Sequence, residues 1–167
     1  MKTSLTLLLT LFLLINCLGQ TAEEYTNRGF AKDARQDYNV AIEDFNSAIK
    51  INPNVGELYY LRASSKNDLK DYQGAMVDLN KAIEINPNIQ ESYFLRGTLK
   101  SNLYDYRGAI EDFTTAIKLN PTYAVAYYSR GAVKLILKQK DSGCLDLSKA
   151  GELGNQEAYK LIRSYCN

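Results

Sequence analysis

Pro53, Pro87 and Pro121 stand 34 residues apart, and each closes a near-copy of one segment: YNVAIEDFNSAIKINP, YQGAMVDLNKAIEINP and YRGAIEDFTTAIKLNP. The same interval relates Tyr25, Tyr59, Tyr93 and Tyr127, and again Arg28, Arg62, Arg96 and Arg130. A period of this length, held over four copies, restricts the chain to a stack of supersecondary units. Each unit reads as two helices. In the third, Tyr93, Gly97 and Lys100 fall at i, i+4 and i+7, the face of a helix from about Gln90 to Leu103. Asp105-Tyr106 marks a turn, and Ala109, Phe113, Ala116 and Ile117 then form the stripe of a second helix. Asn120-Pro121 ends it, because proline lacks an amide hydrogen and disfavours helix in the residue before it. An apolar stripe on one helical hairpin has nothing to bury it except the next copy.

On these residues the chain resembles the tetratricopeptide repeat (TPR) family, over about residues 22–155. The matching positions are the aromatic near the start of each first helix (Tyr25, Tyr59, Tyr93, Tyr127) and the small residue four later (Gly29, Ala63, Gly97, Gly131). In the second helix they are Ala41, Ala75 and Ala109, then Phe45, Leu79 and Phe113, then Ala48, Ala82 and Ala116, and the closing prolines. The resemblance implies an all-α, right-handed superhelical solenoid of helix-turn-helix units at 22–55, 56–89, 90–123 and, in degenerate form, 124–155. Two departures stand out. Lys32, Lys66, Lys100 and Lys134 occupy a site that the family usually fills with a large aromatic. In the fourth unit Lys140 replaces the turn tyrosine, Gly143 the alanine, and Gly154-Asn155 the closing Asn-Pro. Ala158, Leu161, Ile162 and Tyr165 then mark one more amphipathic helix, read as a C-terminal cap over residues 156–167.

Residues 1–19 belong to another class. Lys2 precedes an apolar run from Leu5 to Ile15 broken only by threonines, and Asn16-Cys17-Leu18-Gly19 leads into polar sequence. The run falls well short of the roughly 20 residues of a spanning helix, so it reads as a secretory signal cleaved after Gly19. The alternatives are a lipoprotein signal with Cys17 as the lipid anchor, although Asn16 stands where a lipobox normally has Gly or Ala, and an uncleaved anchor. The expected location is therefore secreted or periplasmic, or membrane-anchored in the alternative. Export leaves Cys144 and Cys166, which an oxidising compartment would join as a disulfide; a pair of free buried thiols is the other reading.

Chemistry has little to stand on. The chain has no histidine, so neither a Cys-His nor a Ser-His pair can be drawn, and no metal-ligand spacing is present. Neither an enzyme nor a cofactor is expected. A net charge of +1 without a Lys/Arg run gives no footprint for nucleic acid. Asp44, Asp78, Asp112 and Asp146 keep the same phase as the four arginines. They read as Arg–Asp bridges between packed helices, since planar guanidinium suits carboxylate; the rival reading is an ionic ladder lining a binding surface.

The resemblance places a peptide-binding groove on first-helix residues facing away from the stack: Glu23, Thr26, Asn27 and Phe30; Glu57, Tyr60, Leu61 and Ser64; Glu91, Phe94, Leu95 and Thr98; Val125, Tyr128, Ser129 and Ala132. Among them Tyr60, Phe94 and Tyr128 recur at 34 residues, supported by Phe30, Leu61 and Leu95 and bordered by Glu23, Glu57 and Glu91. The lysine- and asparagine-rich clamp with which the family grips acidic C-termini is absent. Its positions hold Thr26, Phe30, Leu61, Glu91 and Leu95. The expected function is a protein- or peptide-binding adaptor for an extended segment carrying apolar or aromatic side chains and a basic residue. The alternatives are a self-assembling solenoid and a subunit of an envelope or secretion complex.

Overall fold

A computed structural model describes residues 20–166; the segment 1–19 expected to be a signal, with Cys17, lies outside the described residues. Within them the chain forms α1 (Ala22–Asp33), α2 (Tyr38–Ile51), α3 (Gly56–Asp68), α4 (Tyr72–Ile85), α5 (Gln90–Asn102), α6 (Tyr106–Leu119), α7 (Ala124–Ile136), α8 (Lys140–Glu152) and α9 (Gln156–Tyr165), with no strand. The closest packing joins α1 to α2, α3 to α4, α5 to α6 and α7 to α8, giving four hairpins. Each hairpin then stacks on the next through α2–α3, α4–α5 and α6–α7. The odd-numbered helices α1, α3, α5 and α7 also touch one another in succession, whereas α2, α4, α6 and α8 do not. Helices drawn together on one side only make that side concave, so first helices line the inner surface of a helical solenoid.

Small residues set how closely the two helices of a hairpin approach. A Cβ on Gly97 would lie 2.9 Å from the Phe113 ring, so α5 can rest on that ring only without a side chain there. Phe113, Ala109 and Ala116 are accordingly buried. The fourth unit takes the same shape with smaller parts. Gly131 and Gly143 face each other so closely that a Cβ on either would meet the other's carbonyl oxygen at 2.9 to 3.0 Å.

The turns inside the hairpins share one construction. Gln36, Lys70, Tyr104 and Lys138 hold φ between 61° and 66°, and the next amide bonds back to the carbonyls of Lys32, Lys66, Lys100 and Lys134. That is the six-to-one closure of a left-handed helix C-cap, costing about 1 kcal/mol wherever the residue is not glycine. Asp71 and Asp105 then cap the following helix, each accepting from a glycine amide at 3.0 Å. Replacement of Asn-Pro by Gly154-Asn155 brings this closure to the end of α8, where Gly154 has φ 96° and Asn155 bonds back to Ala150. The α8–α9 connection therefore turns like the inside of a hairpin. Ala158 of α9 packs with Leu147 and Ala150, with Leu161 and Ile162 around them. Cys144 of α8 and Cys166 beyond α9 are joined, their Cα atoms 5.7 Å apart.

The phased arginines and aspartates meet in the seam between helices. Arg62 of α3 binds Asp78 of α4 through Nε (2.8 Å) and Nη2 (2.5 Å), and Arg96–Asp112 and Arg130–Asp146 repeat the arrangement. Arg28 and Asp44 form the same pair in the first unit. The unexpected column is the lysines. Lys66, Lys100 and Lys134 each reach the second oxygen of the same aspartate at 2.8 Å, so the site usually aromatic in the family here carries a second cation. Each arginine also lies over the tyrosine one turn before it, at 4.9 to 5.6 Å from the ring centre. Its remaining nitrogen donates back to the preceding unit: Arg62 to Asn46, Arg96 to Asn80 and Arg130 to Thr114.

An aspartate that is 2% exposed and holds two cations cannot be neutralised without leaving both unpaired. Asp78→Asn is therefore expected to lower unfolding free energy by about 2–3 kcal/mol, reduced from a fully buried pair because Arg62 and Lys66 keep some water. Asp44→Asn should cost only about 1 kcal/mol, since Arg28 is 44% exposed. Urea denaturation of the two variants measures the difference.

Candidate functional site

The concave surface is built from the first turns and outward faces of α1, α3, α5 and α7. Phe30 on α1 is 58% exposed. Tyr60 and Leu61 on α3, Phe94 and Leu95 on α5, and Tyr128 on α7 are half-buried. The ladder expected from the sequence is thus embedded at one side. Tyr60 and Leu95 pack against Ala63, Ala75, Leu79 and Leu99. Phe94 leans on Phe113, centroids 5.7 Å apart, and Tyr128 rests on the Leu147 cluster. Rings held this way are rigid before any ligand arrives, which lowers the entropy cost of using them as contacts. The Thr98 hydroxyl turns back to the Phe94 carbonyl at 3.0 Å.

Two of the bordering glutamates differ in setting. Glu57 is exposed and accepts from Asn86 Nδ2 at 2.9 Å, which ties it to the end of α4. Glu91 is half-buried, accepts from Gln90 Nε2 at 2.7 Å, and makes no ion pair with a described Lys or Arg. One residue escaped sequence reasoning here. Tyr123, at the N-cap of α7, packs on Phe94 with ring centroids 5.2 Å apart. The 34-residue phase carried the signal: Val55, Ile89 and Tyr123 form a column of large side chains before α3, α5 and α7. Burial, then the negative charge of Glu91, pushes the phenols of Tyr60 and Tyr123 upward, Tyr123 to about 12. Two phenols and one carboxylate, from α3, α5 and the N-cap of α7, therefore share one stretch of the groove.

At its C-terminal end the groove deepens into a cavity of about 500 Å³, lined by Tyr128, Ala132, Leu135, Ile136, Lys140, Leu161 and Tyr165. The cap helix supplies the last two, so α9 shapes the surface as well as closing the stack. Among the described residues no cluster of three or more His, Cys, Asp or Glu could hold a metal, and no helix is long and apolar enough to cross a membrane.

Tyr123 gives a direct handle on this geometry. Its proton is bound more tightly in the folded chain than in the unfolded one, so its contribution to stability is complete below pH 10 and is lost as pH rises through about 12. Absorbance at 295 nm should show a late phenol ionisation near pH 12 in the native protein. Tyr123→Phe should remove that step and no earlier one.

A profile described as tetratricopeptide repeat matches residues 22–55, 56–89 and 90–123. Among curated proteins none matches the chain. Solved structures share the fold. A crystal structure of MamA is 22% identical, with a TM-score of 0.77 over 87% of this chain and 85% of that one. YrrB, described as a TPR protein with an unusual peptide-binding site, is 22% identical with a TM-score of 0.73 over 85% and 74%. The first TPR of Spaghetti (RPAP3), bound to the HSP90 peptide SRMEEVD, is 24% identical with a TM-score of 0.69 over 71% and 94%.

Proposed function

We propose, starting from the fact that the chain belongs to the tetratricopeptide repeat family, that it is a non-enzymatic adaptor holding an extended segment of a partner protein in its concave groove. One observation carries the reading: a continuous row of half-buried apolar and aromatic side chains, Tyr60, Leu61, Phe94, Leu95 and Tyr128, runs along the inner helices with Phe30 exposed at its start. Fixed aromatics of this kind supply most of the energy in protein recognition. YrrB, described as having an unusual peptide-binding site, and the TPR of RPAP3, bound to a peptide, support this reading. The chemistry of the ligand differs from SRMEEVD, because a glutamate and apolar residues stand at the clamp positions of this chain.

The adaptor works, in this proposal, outside the cytoplasm. The N-terminal segment 1–19 is its export signal, and an oxidising compartment maintains the Cys144–Cys166 bond. Lys2 is the one charged residue in that segment, so its removal brings the chain from +1 to neutral. The intact mass of the exported protein should correspond to a chain beginning at Gln20, two hydrogens light for the disulfide. A diacylglyceryl mass on Cys17 would instead make the protein a lipid-anchored adaptor.

Phe30 isolates binding from stability, being exposed and outside the packed clusters. Peptides selected from a displayed library on the mature chain should bind Phe30→Ala at least fivefold more weakly, about 1 kcal/mol, at an unchanged melting temperature. Selection of no peptide, together with a concentration-dependent molecular mass in light scattering, would favour a self-assembling solenoid.

A further inference from the structure

The proposal of a peptide groove leaves open what the ligand must carry, and the middle of the groove constrains it. Glu91 sits in the first turn of α5, half-buried, with an amide of Gln90 and no ion pair to a described Lys or Arg. Phe94 lies one helical turn further on, on the same face, and stacks against Tyr123 at 5.2 Å. Tyr60, from the preceding unit, packs on the same buried cluster as Leu95. The seam offers a pointed contrast. There every phased aspartate has an arginine, and those of the last three units a lysine as well.

We propose that Glu91, framed by Tyr60, Phe94 and Tyr123, is a subsite for one lysine or arginine side chain of the bound segment. This rests on the groove reading and gives it a polarity. A partly desolvated carboxylate attracts a cation more strongly than an exposed one, and aromatic faces add to that attraction while accommodating the methylene stem. Burial first, and the Glu91 charge after it, raises the Tyr60 and Tyr123 phenols, so both rings lie within the field of that carboxylate. Glu57 does not offer an equivalent site, since it is exposed and solvent screens its charge. Acidic tails are disfavoured at this point of the groove by the same charge.

The test is a displayed-peptide selection run in parallel on the mature chain and on Glu91→Gln, which keeps the shape and the ability to accept from Gln90. The unmodified chain should enrich Lys or Arg at one fixed position among apolar and aromatic residues. Glu91→Gln should retain the apolar pattern and lose the basic position. In a selected peptide, replacing that lysine by norleucine should weaken binding to the unmodified chain about tenfold and to Glu91→Gln less than twofold. Peptides without a basic preference, or a basic preference that survives Glu91→Gln, would overturn the subsite and leave the groove standing. Failure of both proteins to select any peptide would overturn the groove and the subsite together. Circular dichroism melting of Glu91→Gln confirms that the comparison is between folded proteins.

Discussion

A carboxylate shared by two cations is the constraint on which the stack depends. Asp78 of α4 receives Arg62 and Lys66 from α3, and that arginine also reaches back to Asn46 of α2. One side chain therefore fixes the hairpin and its alignment on the preceding hairpin at once. Apolar contacts alone would not do this. Alanine, leucine and phenylalanine surfaces tolerate sliding and rotation, whereas a planar guanidinium bound at both carboxylate oxygens does not. A buried ion pair adds little net stability over an apolar substitute, so its value here is register. The 34-residue phase of the pair then transmits the same register through the solenoid.

That seam also determines what remains for the groove. Lys66, Lys100 and Lys134 are drawn inward to the aspartates, away from the positions at which a basic side chain could face a ligand. In the middle of the inner surface, aromatic and aliphatic residues are left beside Glu91. A groove of this sign follows from how the helices are pinned together. Exchanging the lysine column for the family's usual aromatic would alter the packing and leave each aspartate with its arginine alone.

Much of this was legible in the sequence. Three prolines, the alanine columns and the Phe45–Leu79–Phe113 column define the hairpins to within a residue of the observed helices, because helix ends are written in local chemistry that does not depend on distant contacts. The Arg–Asp pairing was legible for a similar reason: two columns share a phase. Three features were not. The lysine column read as a departure from the family, since a pattern of types does not say which way a flexible four-carbon stem folds. Tyr123 lay outside the helix periodicity at an N-cap, where only the three-dimensional turn brings it onto Phe94. The left-handed turn residues include Lys70 and Tyr104, neither of which announces a positive φ; the closure of the preceding helix imposes it. Within the candidate site, sequence placed the rings on the correct helices but could not show how far each is embedded, because burial depends on the neighbouring hairpin.

The near-neutral charge of the chain gives the groove its remaining character. A protein without a large net field does not steer partners from a distance, so selectivity must come from contacts made after encounter. Exposed charges such as Glu57 are screened within about 8 Å at physiological ionic strength, and add little to the choice between ligands. Glu91 is different because its neighbours exclude part of the water that would screen it. The rings around it therefore have two physical effects that cannot be separated by position: they offer apolar area, and they lower the local dielectric in which the carboxylate acts. A ligand satisfies both only if an apolar stem and a cationic head arrive together, which is the shape of a lysine or arginine side chain. The cap extends this logic to the end of the groove. There α9, held by the Gly154 turn and the Cys144–Cys166 bond, converts an open stack end into an apolar cavity beside Tyr128. A segment lying along the inner helices would meet a charged subsite in the middle and an apolar one at the end, and that order gives the groove a direction.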